Sequence, residues 1–147
     1  MPPKRSLMKK TTPKARARVA SEETRVAIME AAERLFGEEG IDAAAMRAIS
    51  SAAGQKNASS VQYHFKDRDG LLQAIFIYRE GQLDAMRAEL LEEARALGHL
   101  DDVRWLLRAI FYPEFRHYMD HDGLPYIRLH AQYLANLRPR GVPHPPA

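Results

Sequence analysis

Between Ser59 and Arg68 the chain reads SSVQYHFKDR, with Tyr63, His64 and Phe65 adjacent and Lys66 and Arg68 close behind. Hydroxyls and amides at Ser59, Ser60, Gln62 and Tyr63 can bond to base edges and phosphates, while Lys66 and Arg68 can neutralise phosphate charge. That chemistry is recognition of a polyanion, not bond breaking. No Gly-x-Ser-x-Gly, Gly-rich phosphate loop or spaced pair of carboxylates occurs anywhere to suggest an active site. His117 and His121 stand four apart, a spacing that can put two imidazoles on one helical face, but no third ligand accompanies them and no metal or cofactor is expected. With no cysteine in its 147 residues, the chain has no disulfide, thiolate zinc site or Cys nucleophile.

Charge points the same way. The net charge is only +3, yet residues 1–20 hold seven Lys or Arg and no acid, which leaves the rest of the chain four charges negative. A basic arm on a mildly acidic body suits a polyanionic partner through counterion release. The arm, with Pro2, Pro3 and Pro13 and few large apolar groups, reads as disordered. It lacks the apolar core of a secretory signal, and no run of eighteen apolar residues is present to cross a membrane. A cytoplasmic setting is the simplest expectation.

The elements that must hold those residues are all helical; no stretch alternates with a period of two. Ser21, followed by Glu22 and Glu23, predicts a helix start, and Ile28, Met29, Ala32, Leu35 and Phe36 lie on one face before Gly40 ends it. A short helix follows over 44–53, carrying Arg47 beside Met46 and Ile49. Gln55, Lys56 and Asn57 form a polar turn, and a second short helix spans 58–64 with Val61 inward. Asp67 caps a long fourth helix to Ala96, striped by Leu72, Ile75, Phe76, Leu83, Met86 and Leu90 and interrupted by Gly81. Asp101 or Asp102 caps the next helix, with Val103, Leu106, Leu107 and Ile110 expected to face the core and Pro113 to end or kink it. A short helix over 114–120 and a last one over 126–137 complete the chain. In that last helix Ile127, Tyr133, Leu134 and Leu137 are expected to be buried. The aromatics Trp105, Phe111, Tyr112, Phe115, Tyr118 and Tyr126 are expected to fill the core, though an incomplete bundle would leave some of them exposed as an apolar patch.

The two short helices and their turn have the proportions of a helix-turn-helix, in which the second helix enters the major groove and the first braces it. Beyond those proportions, residues 24–75 resemble the DNA-binding domain of the TetR family of bacterial transcriptional regulators. The resemblance rests on Ala-Ala-x-x-Leu-Phe at 31–36, Gly40, Arg47 and Ile49, Ala53-Gly54, and Tyr63-His64-Phe65 with Lys66 and Leu71. It implies double-stranded operator DNA as partner and Arg47, Lys56, Asn57, Ser59, Ser60, Gln62, Tyr63, His64, Lys66 and Arg68 as its contact residues. It further implies a homodimer, a small-molecule effector and action as a repressor. Two departures stand out. Ala45 replaces the Thr or Ser that usually caps the second helix, and nothing after Leu137 corresponds to the family's two long dimer-forming helices. The domain plan is therefore a disordered basic arm at 1–20, a helix-turn-helix domain at 21–72, a partial ligand and dimerisation domain at 73–137 and a disordered tail at 138–147. The alternative is an interaction module that pairs with a full-length homologue and blunts its DNA binding.

Overall fold

A computed structural model describes residues 12–57, 59–121, 124–138 and 141. Its elements are α1 (Pro13–Glu39), α2 (Met46–Ala52), α3 (Ser60–Phe65), α4 (Arg68–Ala96), α5 (Val103–His121), α6 (Leu124–Gln132) and a π-helical segment at Tyr133–Leu137. Among the described residues there is no strand, so the fold is all-α as the sequence requires.

The first helix starts nine residues earlier than its acidic turn suggests. Pro13 occupies its first position, and Thr12 caps it by accepting a hydrogen bond from the backbone N–H of Ala15 at 3.4 Å. Pro suits this place because its missing N–H is one that no helix start can pair. Residues 13–20 are thus helical rather than disordered, while the basic residues of 1–11 lie outside the described chain. Alanines and long basic side chains are strong helix formers, and here they extend a helix already nucleated by packing further along.

Ile28, Ala32 and Phe36 of α1, Ile49 of α2, Val61 of α3 and Leu71, Leu72, Ile75 and Phe76 of α4 close into one core, each with almost no exposed surface. Asp67 caps α4 through the N–H of Gly70 at 2.8 Å. A Cβ at Gly70 would collide with the Phe65 carbonyl oxygen, so the close join of α3 to α4 requires glycine. Gly81 is different. It lies mid-helix with open space around it. Gly81→Ala should raise stability by about 1 kcal/mol, read as a higher urea midpoint at unchanged m-value.

The distal half departs from its pattern in four ways. Helix α5 runs unbroken through Pro113, whose ring is buried. Apolar packing of that ring accompanies the loss of one backbone bond, so the proline neither ends the helix nor starts a separate one. Val103, Leu107 and Ile110, expected inward, are 62%, 46% and 50% exposed, because Ala109 and Pro113 form the buried edge instead. Of the aromatics, Tyr126 alone is in the core, Trp105 is half-buried, and Phe111, Tyr112, Phe115 and Tyr118 face outward. The last helix begins at Leu124 and passes into the π-helical segment. Its buried positions are Tyr126, Leu129, Tyr133 and Leu137, so Ile127 and Leu134 lie on the outer side. Most of the proline-rich end lies outside the described residues.

Helix α6 packs on α1, and α5 on α4. The Gln132 amide ties the two halves. Its Oε1 accepts from the Ile41 N–H at 3.2 Å and its Nε2 donates to the Gly37 carbonyl at 3.2 Å. A Cβ on Gly37 would stand 2.8 Å from the Pro125 carbonyl, so α1 and α6 meet backbone to backbone there. Polar pairs join the same layers. Glu33 of α1, 5% exposed, receives a two-pronged bond from Arg79 of α4 at 2.6 and 3.1 Å. Burial pulls the Arg79 guanidinium down, but the hydrogen bonds and charge of Glu33 outweigh it and hold it above its usual range. Tyr126 donates to Glu80 at 3.1 Å, and burial, then the Glu80 charge, push its phenol well above the ordinary value.

Candidate nucleic-acid interface

Helix α3 is short and two-faced. Val61 and Phe65 point into the core, at 1% and 6% exposure, and so fix Gln62, Tyr63 and Lys66 outward. Tyr63 is 84% exposed, far more than a tyrosine held for packing. Its ring stands edge-on to His64, with centroids 5.0 Å apart, and His64 in turn leans on Phe65. The outward face therefore offers an amide, a phenol and an ammonium over one turn and a half of helix, rooted in two buried side chains.

The turn before α3 is built by residues the sequence assigns to contact. The Asn57 carboxamide oxygen accepts from the Ser59 N–H at 3.0 Å and from the Ser59 hydroxyl at 2.6 Å. The Ser60 hydroxyl donates to the Asn57 carbonyl at 2.8 Å. Both hydroxyl protons are thus spent inside the turn, which leaves Ser59 and Ser60 as acceptors that a phosphate does not want. Their first task is to set the entry angle of α3. Asn57 is itself exposed, next to the exposed Lys56. Ala58 lies outside the described residues.

Lys66 closes α3 with φ at 69°, the single non-glycine residue with positive φ among those described. With ψ at −60° and the Asp67 N–H bonded to the Phe65 carbonyl at 2.8 Å, Lys66 is the centre of a positive-φ γ-turn; this costs a side-chain-bearing residue roughly 1 kcal/mol or more, and such strain gathers where a side chain is needed for something else. Lys66→Gly should raise stability by about 0.5–1 kcal/mol while weakening DNA binding. Thermal melts and a salt-dependent binding titration on the same variant read the two opposite signs.

Arg68 does not stand free. Its Nη1 donates to the Ile41 carbonyl, and its guanidinium lies over the Phe36 ring, 5.7 Å from the centroid. It braces the loop after α1 and lends charge to the α4 N-terminus from a half-buried position. Arg47 is exposed on α2, whose N-terminus at Ala45 has no side-chain cap. Sequence reasoning missed Arg25, whose guanidinium lies 5.2 Å over the Phe65 ring and whose buried Nε has no hydrogen-bond partner. Its signal was present as a charge on the inner face of the first helix, level with Ala32.

The pairing of charges is uneven along the chain. Arg79, Arg87, Arg95, Arg104 and Arg108 each bond a carboxylate. Among the described residues before Leu72, no lysine or arginine has a carboxylate partner within 4.0 Å, although Glu30, Glu38, Asp42 and Asp67 are in the same segment. Unpaired cations around a solvent-facing helix make a field that attracts polyanions.

A core of three helices, with the third short, outward-facing and ringed by unpaired cations, defines a helix-turn-helix DNA-binding protein. Residues 28–75 match the model of the tetR family of bacterial regulatory proteins. Over these residues the chain carries a domain similar to the DNA-binding domain of that family, whose members are DNA-binding transcriptional regulators. No curated protein matches the chain. No helix among the described residues is long and apolar enough to cross a membrane, and no three His, Asp or Glu among them gather in a group that could hold a metal ion.

Proposed function

We propose that the chain is a sequence-specific cytoplasmic repressor that holds an operator through α3 and is released by a small molecule. The observation that carries this reading is the outward face of α3, where the exposed side chains of Gln62 and Tyr63 have no hydrogen-bond partner among the described residues and cations without a carboxylate partner flank them. Gln62 and Tyr63 would meet base edges in the major groove. Arg47, Lys56, Asn57, His64 and Lys66 would position the helix on the phosphates, and Arg68 would add its charge from behind the Ile41 carbonyl.

A groove of roughly 380 Å³ between α1, α4 and α5 is of the size that takes a small ligand. Glu30, Gln82 and Arg116 set polar and charged groups beside the apolar surface of Tyr78, Leu83 and Met86, which favours an effector with both a polar and an apolar part. A ligand there would press on α1 and α4 together, the two helices that carry the DNA-reading head. The test is a reporter placed behind a promoter carrying the sequence that the protein selects. Expression that falls when the protein is supplied supports a repressor, and expression that rises contradicts one.

A second reading has its own support. Val103, Leu107, Phe111, Phe115 and Met119 form an exposed apolar stripe along α5. Such a stripe suits packing against another helical chain, either a second copy in an operator-bound dimer or a longer homologue whose binding it would blunt. Two inverted half-sites in the selected DNA support the dimer. Failure of the protein alone to select any sequence, with loss of a homologue's binding on mixing, supports the interaction module.

A further inference from the structure

We infer that the first turns of α1 are a rigid basic strut that runs along the DNA backbone outward from the C-terminal end of α3. The inference rests on the reading that α3 binds DNA. Lys14, Arg18 and Arg25 are spaced by four and seven residues, and at about 100° per residue they fall within an arc of about 40° on the helix. Arg25 fixes which way that arc faces, because its guanidinium lies over Phe65 at the end of α3. Lys14 and Arg18 therefore continue, in line, from the corner where His64 and Lys66 stand.

Three further features suit this role. Residues 16–23 and Lys14 are exposed, so the strut projects beyond the body rather than packing on it. Its outermost two turns contain Lys14, Arg16 and Arg18 and no acid, and acids begin only at Glu22. Cations at a helix N-terminus oppose the helix dipole, and a bound phosphate would relieve both the dipole and their mutual repulsion. Among the described residues none of the three arc residues has a carboxylate partner, and the buried Arg25 Nε has no acceptor. The span from Lys14 to Arg25 is about 16 Å, equal to about five base pairs of duplex.

The test uses the full chain and a duplex carrying the sequence recovered by selection from genomic DNA. Lys14→Ala/Arg18→Ala should flatten the slope of log K against log salt by about 1.8 and remove about five base pairs of hydroxyl-radical protection at the outer flank. Ala20→Pro keeps every charge but breaks the strut, and it should lose the same flank; circular dichroism and melting confirm that the body stays folded. Unchanged flank and slope in the double variant would overturn the strut while leaving the α3 reading intact. Full flank protection by Ala20→Pro would also overturn it, since the charges would then act as a loose tail. A wild-type protein that gives no footprint at all would sink the DNA reading and the strut with it.

Discussion

Tyr63→Ala should lower affinity for the selected operator about 5- to 150-fold and leave the fold intact. The range follows from the roughly 1–3 kcal/mol that one good base contact contributes to discrimination. Tyr63 is 84% exposed and makes no contact that holds the core, since Val61 and Phe65 anchor α3 on the other face. Removing its ring therefore costs little stability. Affinity for random duplex should hardly change, because that term comes from phosphate charge. Fluorescence anisotropy with the selected and a scrambled duplex separates the two. A variant that loses helical circular dichroism, or that weakens on both duplexes alike, would show that Tyr63 is a packing or general electrostatic residue and not a reader.

Glu33→Ala should destabilise the protein by about 3 kcal/mol, or roughly 6–12 °C in melting temperature. The carboxylate is buried and takes both prongs of the Arg79 guanidinium, whose side chain is itself 13% exposed. Deleting it strands a cation between α1 and α4. The Gln82 side chain, bonded to Arg79 at 3.1 Å, lets that cation lean toward water, which keeps the loss at the lower end of the range for buried pairs. Replacing both partners, as Glu33→Met/Arg79→Met, should recover most of the loss, because the stranded charge and not the missing attraction is the main cost. A loss below about 1 kcal/mol for Glu33→Ala in urea melts, or no recovery in the double variant, would contradict this account.

The helix-turn-helix was legible because its determinants are local. Val61 and Phe65 alternate with Gln62 and Tyr63 over one turn, Asp67 sits three residues before Gly70, and Gly54 and Gly40 stop helices where the backbone turns left-handed. The distal half was less legible because amphipathic pattern says which face is apolar but not whether that face is covered. Val103, Leu107 and Phe111 make a stripe that periodicity assigns to a core, and α4 instead receives the edge with Ala109 and Pro113. Small residues there allow close approach, a signal that a hydrophobicity pattern discounts. Proline and an acidic pair misled in opposite senses. Pro113 suggests an end or a kink, but a buried ring in a packed helix is tolerated; Ser21-Glu22-Glu23 suggests a start, but it lies inside a helix that Thr12 and Pro13 begin.

For the residues proposed to contact DNA, the sequence gives the chemical type but not which groups are already bonded within the chain. Gln62, Tyr63, Arg47 and Lys66 face solvent as their chemistry suggests. Ser59, Ser60 and Arg68 carry the right groups but bond within the chain, to Asn57 and to the Ile41 carbonyl. A sequence lists donors and acceptors without saying which have already found each other.

The central claim is that α3 reads DNA sequence, and selection of bound fragments from genomic DNA by the purified full chain tests it most directly. The account predicts a recurrent sequence that is enriched by the wild-type protein and is not enriched by Tyr63→Ala. Salt-sensitive binding with no recurrent sequence, or the same sequence recovered by both proteins, would contradict it.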